Sequence, residues 1–117
     1  MDKIIICLIL HVIDIITGLL GAIKTKTLDS TTLRNGIFKK CGFIACYSVA
    51  LLLSYYGDIV GISYGEIVLD AIVAYSVLTE IVSIIENACE LNEDLSATKL
   101  LSYFKITSND EESEDDE

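Results

Sequence analysis

Three long stretches of nearly unbroken hydrocarbon side chains, each bounded by polar residues, organise this chain. The first runs from Ile4 to Ile23, the second from about Cys41 to Val60, and the third from Ile67 to Ile85. A bilayer core about 30 Å thick is crossed by roughly 20 apolar residues in a helix, so each run predicts one membrane span. Core helices of a soluble bundle would carry a wide charged face, and these runs carry none. The predicted fold is therefore all-α, an integral membrane protein whose three transmembrane helices occupy residues 1–92. The first run has an acid at its centre and no small-x-small cleavage site, which argues against a cleaved secretory signal. Between the first two runs lies "KTKTLDSTTLRNGIFKK", read as a polar, basic loop. Between the second and third is a short Gly-rich turn with Asp58 and neither lysine nor arginine. Lys24, Lys26, Arg34, Lys39 and Lys40 thus make the first loop cytoplasmic, with the N-terminus outside and the C-terminus inside.

The few polar residues inside the runs are not scattered. An Asp at a helix centre disfavours insertion by about 2.5 to 3.5 kcal/mol, so such acids face protein or water, not lipid. At about 100° per residue, Lys3, Cys7, His11, Asp14, Gly18, Gly21 and Thr25 fall within an arc of roughly 80°. Thr17 flanks that stripe, and Gly18 with Ala22 makes a small-xxx-small pair suited to close helix approach. In the third run Glu66, Asp70, Ser76, Glu80, Ser83 and Asn87 share an arc of about 140°. Six polar positions exceed what packing within one three-helix subunit is expected to use, which predicts a surface that self-associates or borders water. The middle run offers an uncharged close-packing surface, Gly42, Cys46, Ala50 and Ser54.

Composition sharpens this picture. The chain has 117 residues, is 52 % hydrophobic, and has no proline and no tryptophan. Its net charge of −10 is mostly a tail property, since seven of the 18 acids lie in the final "DEESEDDE". Residues 110–117 are expected to stay solvated and disordered, and that charge repels nucleic acid. Residues 93–109 offer a short interfacial helix through Leu100, Leu101 and Phe104. Cys7, Cys41, Cys46 and Cys89 show no ligand or redox spacing and read as small buried thiols. With a lone histidine and no phosphate loop, nucleophile elbow or dinucleotide fingerprint, the pattern supports no enzyme chemistry, cofactor or metal site.

"IDIITGLLGAIKTKTLDSTTLRNGIFKK" followed by "LTEIVSIIENACEL" resembles the bacteriophage holin family, which includes toxin-release and phage-lysis members. The matching positions are Asp14, Thr17 and Gly18; then Ser30, Gly36, Lys39 and Lys40; then Glu80, Ser83, Glu86 and Asn87. The resemblance covers roughly residues 8 to 92. It implies a protein that oligomerises in the bacterial cytoplasmic membrane and opens lesions, releasing an endolysin or a protein toxin for host lysis. In that reading the stripes of the first and third helices pair between subunits and then line the lesion. Two features depart from the family: no proline follows the Glu-Asn segment, and the tail is acidic where many members end basic. The alternatives are a non-lytic helper, such as an antiholin or small scaffold subunit, and a proton- or ion-conducting channel.

Overall fold

The computed structural model describes residues 2–96 together with residues 99 and 102. Three long helices account for most of them: α1 (Asp2–Thr25), α2 (Ser30–Tyr56) and α3 (Gly65–Leu91). A 3₁₀ turn, Gly57–Val60, extends the end of α2, and no strand occurs among the described residues. At 1.5 Å per residue each helix is roughly 36 to 40 Å long, enough to cross a bilayer. All three are long and apolar enough to do so. The expected short helix after residue 93 and the acidic tail lie almost wholly outside the described residues.

Local chemistry sets the boundaries. Asp2 in the first turn of α1 and Lys24 in its last complement the helix dipole. The helix closes with Lys26 in the left-handed region, φ 56°, while Thr27 N–H donates to Ala22 O and Lys26 N–H to Ile23 O. That paired closure satisfies carbonyls the helix end leaves open. Three residues on, Asp29 caps α2: Oδ1 accepts from the Thr31 N–H at 3.0 Å and Oδ2 from the Thr32 hydroxyl at 3.2 Å. The connection between α1 and α2 is therefore a tight turn. This corrects the expected basic loop. Lys24 belongs to α1, Lys26 to the turn, and Arg34, Lys39 and Lys40 to α2. The polar residues that read as loop are the first turns of a helix that begins about three turns before its apolar run.

The return from α2 to α3 depends on two glycines. Gly61 adopts φ 78°, which suits a residue without a side chain. At Gly65 a Cβ would collide with the backbone of Leu53, so the first turn of α3 lies directly on the last of α2.

Contacts along the helices fix the topology. Lys3 reaches Asp70, and Lys24 reaches the carbonyls of Glu90 and Leu91, so α1 and α3 run parallel. Lys40 and Tyr47 meet α1 and α3 in the opposite order, placing α2 antiparallel to both. The main packing joins α3 to each of the others, while α1 and α2 touch little. The polarity of this bundle is inverted relative to a soluble protein. Its buried residues include His11, Lys40, Ser76 and Glu80 beside Cys7, Tyr47, Ala50 and Leu69. Outward faces carry Ile9, Val12, Ile16 and Leu20 on α1, and Leu52 and Leu78 on the other helices. Such a distribution suits a hydrocarbon solvent and is unstable against water.

Candidate functional site: a buried polar seam

The polar stripe of α1 faces that of α3 along their whole length, inside a single subunit. At mid-height Lys40 projects from α2 between them. Its Nζ lies 2.8 Å from Asp14 Oδ2 and 2.9 Å from Glu80 Oε2. The lysine is 8 % exposed and Glu80 3 %, so the bridge is buried among the three helices. Two carboxylates held by one ammonium in a low-dielectric interior are tolerable only because each has a charged partner.

The remaining polar groups extend this core in both directions. Toward the α1 N-terminus, His11 Nδ1 is 3.1 Å from Glu80 Oε1, and Nε2 is 3.0 Å from the Tyr47 hydroxyl. Tyr47 in turn hydrogen-bonds Ser76, which is completely buried. Phe43 stacks near both the His11 and Tyr47 rings, which walls the imidazole from the α2 side. Toward the other end, the Asn87 amide donates to Asp14 Oδ1 at 2.9 Å and to the Thr17 hydroxyl at 3.1 Å. Thr17 satisfies its own donor on the Ile13 carbonyl of the preceding turn. At Gly21 a Cβ would crowd the Glu90 carboxylate and at Gly18 it would make ordinary contact with the Asn87 amide, so both glycines sit against polar side chains of α3.

The seam is clasped at its ends. Lys3 pairs with Asp70, both side chains about half exposed. Lys24 Nζ donates to the carbonyls of Glu90 and Leu91, each at 3.1 Å, capping the C-terminus of α3 where its dipole is negative.

The predicted residues thus divide. His11, Asp14, Thr17, Gly18, Gly21, Ser76, Glu80 and Asn87 converge on the α1–α3 contact, with Ser83 half-buried at its edge. Asp70 joins only the exposed outer clasp, and Glu66 is exposed in the first turn of α3. Five of the six polar positions on α3 are taken up within one subunit, more than expected, and Glu66 is the exception. The reason is that α2 supplies a cation and a phenol that the middle run was not expected to offer. Gly42 and Cys46 face outward, and Lys40, Phe43, Tyr47 and Ala50 form the inward face. Those four share a helical arc of roughly 80°, a signal that starting the helix at Ser30 would have revealed. Of the cysteines Cys7 alone is buried; Cys41 and Cys46 are exposed, on a surface where lipid replaces protein as the apolar surroundings.

Among the described residues no cluster of His, Cys, Asp and Glu has a metal-holding arrangement. The seam can hold and separate charge within the bilayer. One hydrogen-bonded group joins His11, Tyr47 and Ser76, and another joins Glu80, Lys40, Asp14, Asn87 and Thr17. The two meet at the close approach of His11 to Glu80.

A family model, that of the bacteriophage holin family, matches residues 1–107. No curated protein and no solved structure matches the chain.

Proposed function

Because the chain belongs to the bacteriophage holin family, a family of multi-pass cytoplasmic-membrane proteins without enzymatic chemistry, we propose that it assembles into lesions that release an endolysin or a protein toxin. The observation that carries this reading is the Asp14–Lys40–Glu80 bridge at the centre of an otherwise lipid-compatible bundle. Closed subunits hide every mid-membrane charge of the seam, so copies accumulate without making the bilayer leak. A lesion needs polar walls, and parting the helices supplies them from groups already at that depth. α1 and α2 make the least contact and are joined by a tight turn, so parting at that side leaves the α2–α3 packing in place.

With the inner stripes occupied within each subunit, first association between subunits falls to an outer face. The groove between α2 and α3 is suited to it, lined by Lys39, Gly42, Cys46, Tyr75 and Thr79. Lys39 has no ion-pair partner among the described residues and lies one residue from mid-height, a poor neighbour for acyl chains. The orientation with the basic end cytoplasmic follows from the lysines and arginine at the α1–α2 turn and along the start of α2.

Expression in a bacterium, with optical density and leakage of a cytosolic enzyme recorded, tests the proposal. Lysis with enzyme release is expected from the chain alone. Intact cells would favour a non-lytic helper, and loss of membrane potential without enzyme release a small channel. Asp14→Leu and Glu80→Leu are expected to shift lysis timing while still inserting. Unaltered timing in both would remove the seam from the mechanism.

A further inference from the structure

The outer surface of α2 and α3 holds two charges that the subunit leaves unanswered. Lys39 of α2 and Glu86 of α3 are exposed, and neither forms an ion pair among the described residues. Both belong to helices long and apolar enough to span the bilayer, where an unpaired charge is disfavoured. At about 100° per residue, Tyr75, Thr79 and Glu86 share an arc of roughly 40° on α3. Lys39 and Glu86 therefore border one face, the face that carries the α2–α3 groove.

That groove is long and open. A recess of about 470 Å³ is lined by Lys39, Gly42, Phe43, Cys46, Tyr75 and Thr79. A second, of about 280 Å³, continues it away from the basic end along Cys46, Val49, Val68 and Ile72. Cys46 lines both and marks the middle. The face also bears a knob beside a hole: Tyr75 is 67 % exposed, and a Cβ at Gly42 would meet nothing within 4 Å.

A face with one cation, one anion, one knob and one hole can be its own partner, as a two-fold contact between identical chains requires. Identical chains insert with the same orientation, so the axis stands along the membrane normal and groups meet at matching depth. Glu86 lies two turns, about 10 Å, beyond Thr79 towards the basic end. The Lys39 side chain extends that way to reach the headgroup region. Lys39 of each copy thus comes within reach of Glu86 of the other. A phospholipid is the poorer occupant, because its phosphate would suit Lys39 but be repelled by Glu86.

We propose that the α2–α3 groove is a parallel, two-fold contact between two copies of this chain, closed by reciprocal Lys39–Glu86 ion pairs with Cys46 beside the axis. Its part in assembling a lesion rests on the reading above, whereas the contact itself does not.

The native cysteines report the contact. Full-length chains are placed in lipid vesicles at a low protein-to-lipid ratio and oxidised with copper phenanthroline. Chains that keep Cys46 (Cys41→Ala, Cys89→Ala) are expected to cross-link, and chains that keep Cys41 (Cys46→Ala, Cys89→Ala) are not; buried Cys7 is common to both. Cross-linking at Cys41 equal to that at Cys46, or none at Cys46, overturns the contact, and the second result is also what a lipid-filled groove gives. Lys39→Glu and Glu86→Lys, each with Cys46 kept, set like charges across the axis and are expected to lower the yield about tenfold. An undiminished yield in both overturns the ion pairs. Mixed in equal amounts with tags of different length, the two variants must cross-link to each other, because each supplies the charge the other lacks. Pairing within one subunit cannot be rescued by mixing, so absence of the mixed dimer overturns the proposal. Should the charge variants fail to fold, Gly42→Leu decides: its side chain enters open space in the subunit and is expected to abolish the cross-link. An unchanged yield there overturns the contact equally. No vesicle has to leak for these readouts, so chains that cross-link yet never lyse cells fail the lesion reading alone.

Discussion

The middle of the seam and its outer end use the same pairing of lysine with carboxylate at opposite burial. Lys40 and Glu80 have side chains 10 % and 4 % exposed, whereas those of Lys3 and Asp70 are 49 % and 55 % exposed. An exposed pair competes with water and contributes little. A buried pair is a weak source of net stability as well, but removing one partner strands the other charge in a medium that cannot solvate it. The middle therefore enforces how the three helices meet, and the end only trims the contact.

Substitutions can break or sharpen that contrast. Lys40→Met leaves Asp14 and Glu80 facing each other without a cation, and destabilisation of about 3 to 5 kcal/mol is expected in reversible unfolding from mixed micelles. Restoring neutrality with Lys40→Met plus Glu80→Gln should recover a large part of that loss, because the penalty belongs to the stranded charge. Away from the seam, Gly65→Ala drives a Cβ into the Leu53 backbone and should cost about 1 to 3 kcal/mol by the same measurement. Asn87→Ala removes donors to Asp14 and Thr17 and should cost about 0.5 to 1.5 kcal/mol, since interhelical hydrogen bonds in membranes are modest. Lys3→Gln should unfold indistinguishably from wild type. If Lys3→Gln matched Lys40→Met, burial would not be what separates the two pairs.

The sequence revealed the three helices and the contact face of α1 because both are written in hydrocarbon. A run such as Ile4 to Ile23 leaves one assignment open, and the steps of three and four through His11, Asp14, Gly18 and Gly21 allow one inward face. Glu80 and Asn87 were legible for the same reason. What eluded sequence reading was α2. Its first turns, "STTLRNGIFKK", are polar and glycine-containing, so they resemble a loop until Asp29 is recognised as a cap that starts a helix. Once those turns are taken as loop, Lys40 becomes a surface cation and the charge that balances Asp14 and Glu80 vanishes from view. The stripes of α1 and α3 then look unsatisfied and seem to need a second subunit. Partner choice, within a chain or between chains, depends on the helix that carries the counter-charge, and hydropathy does not report it.

The parallel packing of α1 on α3 also has a consequence for biosynthesis. Residues leave the ribosome in order, so Asp14 reaches the insertion machinery before Lys40, and Lys40 before Glu80. The nascent hairpin of α1 and α2 carries both partners of the Asp14–Lys40 pair, 2.8 Å apart in the folded chain, so this acid can enter the bilayer with its counter-charge. Glu80 arrives last, joining a site that already contains Lys40 and His11.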